Sequence, residues 1–231
     1  MLKLMKAIIP NGIKAPIRNK LFKKEGGSSA YWERRYAGGG TSGDGSYGKL
    51  AEFKADVVKA FIKEHDIKSV VELGSGDGNQ ASLMFDGLSV SYLGLDVSQT
   101  AIAMCIDRFK DDKNKDFVLF DAMHATNKQG FIKADMALSL DVIFHLVEDD
   151  VYGKYMDMLF TLAKRYVVIY SSNHEEEYSR ALGPHGRSRR FTDYVGDKQP
   201  RWGLIQHIPN KYPVSNDPEG SGSDFYIYQL E

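Results

Sequence analysis

The sequence predicts an α/β fold: a doubly wound, mostly parallel sheet of seven strands with an antiparallel edge strand. Three observations carry that expectation. Short apolar runs alternate with helix-period segments from residue 50 onward, the pattern of a parallel sheet covered by helices on both faces. The first run ends in an acid and a glycine-rich turn, Ser69-Val-Val-Glu-Leu-Gly-Ser-Gly-Asp-Gly-Asn79. The last two runs, 203–208 and 224–229, have no full helix between them, as an antiparallel pair at a sheet edge requires.

The elements follow in order. Leu50, Phe53, Val57, Phe61 and Ile62 recur at three- and four-residue steps, which predicts an amphipathic helix from Leu50 to His65. Strand 69–74 leads into a helix from about Asn79, and strand 91–96 into a helix with Ser98 as N-cap. Strand 116–121 is expected to enter a short helix, and strand 135–140 a helix from about Asp149 to Ala163. Strand 166–171 and a helix near 191–197 precede the closing strand pair.

Two regions are expected: a basic arm and glycine-rich lid over 1–48, and the main domain over 49–231. In the arm, Lys3, Lys6, Lys14, Arg18, Lys20, Lys23 and Lys24 stand against Glu25 and alternate with apolar residues. Residues 1–24 therefore suit either weak contact with an anionic membrane surface or packing on their own domain; Pro10, Gly12 and Pro16 break any long helix. The loop Ala37-Gly-Gly-Gly-Thr-Ser-Gly-Asp-Gly-Ser-Tyr-Gly48 has only Tyr47 as an apolar anchor, so it is expected to move without a ligand.

At 231 residues and 42% apolar content, the chain suits one well-buried domain. A formal charge of −1 offers no global attraction to polyanions, which argues against nucleic acid as the main partner. The single Cys105 excludes an internal disulfide and a multi-cysteine zinc site. Without a signal peptide or a long apolar run, the expected location is cytoplasmic, extending to the inner face of the membrane if the arm binds there. No histidine pair shares a metal-ligand spacing with a carboxylate, so no metal is expected.

Glycine lets a backbone turn sharply and lets a ligand approach the main chain closely. The turn after the first strand reads G-x-G-x-G, with Gly74, Gly76, Gly78 and then Asn79, where a dinucleotide fingerprint would need glycine at position 79. A second strand ends in Asp96, whose carboxylate can accept both hydroxyls of a ribose. In doubly wound sheets such strand ends converge on one crevice, which here collects Glu72 to Gly78, Asp96, Asp121, Leu140 and Asp141.

From Val70 to Gly78 the chain resembles the first motif of class I S-adenosylmethionine-dependent methyltransferases, (V/I)-(L/V)-(E/D)-x-G-x-G-x-G. The resemblance implies a Rossmann-like methyltransferase sheet, S-adenosyl-L-methionine as cofactor and S-adenosyl-L-homocysteine as product. It assigns Glu72, Gly74 and Gly76 to the methionine part, Asp96 to the ribose, and Asp121, Ala122 and Met123 to adenine, with Val97 and Leu140 also at the cofactor.

Tyr31-Trp-Glu-Arg-Arg-Tyr36 and the segment from Gly39 to Ala55 are similar to the N-terminal signature of methyltransferases found with bacterial capsule and O-antigen biosynthesis. Later pieces agree, among them Asp141-Val-Ile-Phe-His-Leu-Val-Glu-Asp149, Arg190-Phe-Thr-Asp193 and Pro209-Asn-Lys-Tyr-Pro213. A segment entering just before the first helix can fold over the crevice as a lid. Arg35 and the N–H groups of Gly43 to Ser46 could then meet the methionine carboxylate, and Tyr31, Trp32 or Tyr36 the sulfonium.

Methyl transfer from a sulfonium mainly requires positioning, but a hydroxyl nucleophile must lose its proton as it attacks. His145, just past the fourth strand, is the candidate base. Asp141 could orient His145, bind the acceptor or touch the cofactor amine, and spacing does not rank these roles. His174 follows the fifth strand toward the same side, and Arg187 with Arg189 suits capture of an acceptor phosphate or carboxylate. Ser188 stands where the related signature has histidine.

The acceptor expected is a small molecule or glycan, such as a phosphorylated or nucleotide-linked sugar precursor of a bacterial surface polysaccharide. Ser139-Leu-Asp-Val-Ile143 lacks the N/D-P-P-Y/F sequence of many methylators of nucleic-acid bases and glutamine. The alternatives are a methyltransferase for another small metabolite and a non-catalytic cofactor-binding partner subunit. Intact Glu72, Asp96, Asp141 and His145 argue against the second.

Overall fold

The computed structural model describes residues 26–175 and 185–231, so the basic arm over 1–24 lies outside the described residues. Seven strands form one sheet: β1 (Ser69–Leu73), β2 (Ser91–Asp96), β3 (Lys115–Leu119), β4 (Ala134–Leu140), β5 (Ala163–Ser171), β6 (Trp202–Ile208) and β7 (Asp224–Leu230). Their order is β3-β2-β1-β4-β5-β7-β6. The first five strands are parallel, while β7 runs antiparallel between β5 and β6. The chain winds outward from β1 to β3 on one side and from β4 onward on the other, so strand order reverses between β1 and β4, where open α/β sheets hold their ligands.

Among the described residues six helices accompany the sheet: α1 (Gly27–Ala37), α2 (Gly48–Glu64), α3 (Asn79–Phe85), α4 (Gln99–Arg108), α5 (Asp149–Thr161) and α6 (Phe191–Lys198). Neighbouring strand residues face opposite sides and feed two cores. Val71, Leu73 and Ala137 pack with Met156 and Leu159 of α5 and Phe191 of α6. Val70, Met136 and Leu138 pack on the other side with Val58 and Phe61 of α2 and Met84 of α3. Buried faces on both sides explain the near-continuous apolar runs of β1, β4 and β5. Among the described residues no helix is long and apolar enough to cross a membrane.

The short helix expected after the third strand does not form. Asp121 accepts the Met123 N–H at 2.8 Å and pairs with His124, a side-chain turn that competes with helix formation. The lid segment, by contrast, is helical. Its residues are weakly apolar, and contacts with distant parts of the chain hold α1 in place.

Candidate active site

The carboxyl ends of β1, β2 and β4 open on a crevice. Glu72, Gly74, Gly76, Asp96, Val97, Asp121, Ala122 and Leu140 all line it, so eight of the residues expected at the cofactor lie together. The glycine turn adopts left-handed backbone at Gly74 (φ 88°), Gly76 (φ 56°) and Gly78 (φ 76°), where a side chain would be strained. A Cβ on Gly76 would lie 2.3 Å from Ser42 Oγ, and one on Gly74 2.5 Å from a Val142 methyl group.

Asp96 fastens this turn. Its Oδ2 accepts the Gly76 N–H and its Oδ1 the Ser98 N–H, both at 2.9 Å. Burial raises its pKa, and these N–H donors oppose the rise. Each oxygen keeps a lone pair, so the pair of ribose hydroxyls remains within its capacity. Beyond it, Asp121, Ala122, Phe120 and Val97 form an apolar slot edged by a carboxylate. Met123, expected to cover the adenine face, is not part of the lining, whereas Phe120 is.

Helix α1 lies over the crevice and contributes Ser28, Ser29, Trp32 and Tyr36 to its walls. At its N-terminus Glu148 accepts the Ser28 N–H at 3.0 Å and the Ser28 hydroxyl at 2.6 Å. Farther along, Glu33 accepts the hydroxyls of Ser98 and Thr100, each at 2.6 Å, at the N-terminus of α4. The glycine loop that follows is tied down by polar contacts: Ser42 N–H donates to Asp77 Oδ2 at 2.9 Å, Asp77 N–H to Ser42 Oγ at 3.0 Å, and the Tyr47 hydroxyl to Asp77 at 2.8 Å.

His145 sits in a short 3-10 turn, Ile143–His145, just past β4, and lines the crevice. Trp32 meets it edge-on at 4.9 Å, and the His185 ring stacks at 5.4 Å with Tyr31 stacked on its far side. Burial pushes the His145 pKa down to about 3, with the charges of His185 and Arg35 adding to the fall. The imidazole is therefore neutral at pH 7. Its Nδ1 lies 3.3 Å from the His185 carbonyl, which can only accept, so this contact puts the proton on Nδ1 and the lone pair on Nε2.

Asp141 has a left-handed backbone (φ 59°), unusual for a residue other than glycine. Of the three roles open to it, orienting His145 is not realised. Its carboxylate pairs instead with Lys54 Nζ at 2.6 Å and accepts the Ser223 hydroxyl at 3.2 Å. Lys54 is buried, lines the crevice and lies 5.1 Å above the Tyr170 ring. Of the apolar positions expected to face inward, Leu50, Phe61 and Ile62 are buried and Phe53 and Val57 pack partly against the core, but the buried face of α2 also carries Ala51, Lys54, Ala55 and Val58, and a lysine at the midpoint of the i, i+4, i+8 stripe Leu50, Lys54, Val58 was the available signal.

Glu72 is buried beneath the glycine turn, and burial raises its pKa to about 7 despite a 2.6 Å hydrogen bond from the Tyr92 hydroxyl and the attraction of Lys54. The folded chain thus holds a proton that the unfolded chain releases near pH 4.5, and stability falls as pH rises from there through 7. Glu72→Gln removes that dependence. Its melting temperature relative to wild type is expected to climb between pH 5 and pH 8; a constant difference would mean that Glu72 stays ionised throughout.

Several expected contacts are corrected. Arg35 does not line the crevice: its Nε donates to the Thr41 carbonyl at 2.6 Å, and its guanidinium lies 5.6 Å from the Trp32 ring. The Gly43 N–H points to Thr41 Oγ1 and the Ser46 N–H to the Gly43 carbonyl, so these two N–H groups are already engaged, although Ser46 does line the crevice. His174 is exposed and outside the lining. Arg187 and Arg189 converge on Asp149 Oδ1, at 2.7 and 3.2 Å, and on the carbonyls of Leu146 and Val147. They brace the segment that carries His145 and do not reach the crevice.

Two buried polar atoms of the lining, Ser75 Oγ and Gln80 Oε1, have no hydrogen-bond partner among the described residues. With the room above the glycine turn, they fit a polar ligand that would supply those partners. Among the described residues, no group of three His, Cys, Asp or Glu side chains could hold a metal ion.

Comparison with known proteins agrees with this geometry. Residues 71–165 match the family model described as a methyltransferase domain. No curated protein matches the chain. Among solved structures, the N-methyltransferase NodS from Bradyrhizobium japonicum WM9, in complex with S-adenosylhomocysteine, superposes with a TM-score of 0.65 at 11% identity, covering 88% of this chain and 98% of that one. Magnesium protoporphyrin IX methyltransferase ChlM from Synechocystis PCC 6803, with bound S-adenosylmethionine, gives 0.58 at 14% identity over 97% and 99%. The methyltransferase domain of bacterial CtHen1 gives 0.62 at 20% identity over 78% and 97%. Residues 71–165 are thus similar to a methyltransferase domain, and the sheet has the architecture of these solved methyltransferases.

Proposed function

We propose that this protein uses S-adenosylmethionine to methylate a hydroxyl oxygen of a sugar in a precursor of a bacterial surface polysaccharide. When bound, the cofactor supplies an electrophilic methyl group on a sulfonium, a good leaving group. Asp96 with Val97 would hold the ribose, Asp121 with Ala122 and Phe120 the adenine, and the glycine turn the chain leading to sulfur. Trp32 and Tyr36 present aromatic surface to a cationic centre in the same crevice.

The observation that carries the choice of oxygen is His145: a neutral imidazole with Nδ1 committed to a carbonyl and Nε2 left as proton acceptor. A hydroxyl needs such a group, whereas a neutral amine attacks without one. Because Arg187 and Arg189 are engaged elsewhere, they lend no support to a phosphate or carboxylate on the acceptor, and recognition of an uncharged sugar ring by Trp32 and its neighbours fits better. The capsule and O-antigen association rests on the N-terminal signature, whose Glu33 here holds the lid to α4.

The test is methyl transfer from labelled S-adenosylmethionine to a panel of free, lipid-linked and nucleotide-linked sugars, with the methylated atom located by NMR. A methyl ether on sugar oxygen is expected. Transfer only to nitrogen, or to no sugar, would overturn the reading.

A further inference from the structure

We propose that Lys54, Gln80 and Asp141 form the end of the crevice that recognises the amino-acid group of the cofactor, Lys54 taking its carboxylate and Gln80 with Asp141 its ammonium. The inference rests on the methyltransferase reading and adds to it specificity-determining residues outside the glycine turn. Lys54 is 0% exposed yet lines the crevice, and burying an ammonium is unfavourable unless it is paired and hydrogen-bonded. Asp141 supplies one partner at 2.6 Å, and the Tyr170 ring lies 5.1 Å away. Among the described residues the ammonium makes that one hydrogen bond, so two of its N–H donors are available to a ligand.

Gln80 supplies the converse. Its Nε2 donates to the Ala51 carbonyl at 3.0 Å, one helical turn before Lys54 on the same buried face of α2. That bond fixes the amide, and the buried Oε1 on its other side has no donor among the described residues. A cation with donors to offer, a carboxylate and an unmatched amide oxygen therefore line one crevice. Together they complement a zwitterion. An adenosyl compound without the amino-acid group would leave them unmatched, at a cost in affinity.

Titration calorimetry compares S-adenosylhomocysteine with 5′-methylthioadenosine, which keeps the nucleoside and thioether but lacks the amino-acid group, on wild type, Gln80→Leu and Lys54→Met. Each substitution is expected to weaken S-adenosylhomocysteine by about 10- to 100-fold, the range for a hydrogen bond to a charged group. Methylthioadenosine should change by less than about threefold, within the effect of a minor packing change. Equal losses for both compounds would make the residues merely structural, and no loss for either would place the amino-acid group elsewhere; both results overturn the inference. Should Lys54→Met fail to fold, Gln80→Leu decides the matter alone. Wild type that binds neither compound would overturn the cofactor reading itself, and this inference with it.

Discussion

Replacing Asp96 with alanine is expected to weaken S-adenosylmethionine binding by about 10²- to 10⁴-fold, the combined worth of two hydrogen bonds from ribose hydroxyls to a carboxylate. The structure adds a second source of loss. Asp96 also accepts the Gly76 and Ser98 N–H groups, so the variant frees the glycine turn and the start of α4 together. Asp96→Asn keeps one accepting oxygen, so it is expected to lose part of both effects, less than alanine in each. Calorimetric titration with S-adenosylhomocysteine measures the loss, and melting of the ligand-free variants measures loosening of the turn. Affinity within about threefold of wild type would remove Asp96 from the cofactor site.

For His145→Ala the expected result is a fall in kcat of about 10²- to 10⁴-fold with the cofactor Kd unchanged, the usual contribution of a positioned base. With a pKa of about 3, His145 is already in its accepting form across the working range, so kcat should show no acid limb near pH 6.5 from this group. The same depression bears on stability. The unfolded chain takes up a proton near 6.5 that the folded chain refuses, so stability is intact above that pH and declines as pH falls toward 3. A variant retaining more than about a third of wild-type kcat would remove His145 as the base.

What was legible in the sequence was mostly local. Alternating apolar runs and the glycine spacing located the seven strands to within a few residues, and the acids at 72, 96 and 121 line one crevice because parallel strands bring their carboxyl ends together. The misses share a cause. Helix α1 is held by Glu148, 120 residues away, and by Ser98 and Thr100 on another helix, so neither propensity nor periodicity marks it. Arg187 and Arg189 look like anion-capturing groups until the fold brings Asp149 and two free carbonyls to them. Lys54 was hidden because an apolar stripe does not mark a charged residue, although Lys54 is buried on the same side of α2 as the expected Leu50, Phe61 and Ile62.

Helix α1 joins Glu148, on the β4 side of the sheet, to Ser98 and Thr100, on the β2 side. It therefore works as a strap drawn across the seam between the two halves, buckled by carboxylates at both attachment points. Loop 38–47 is fastened to the buried Asp77 by hydrogen bonds, whereas the strap also rests on aromatic packing around Trp32.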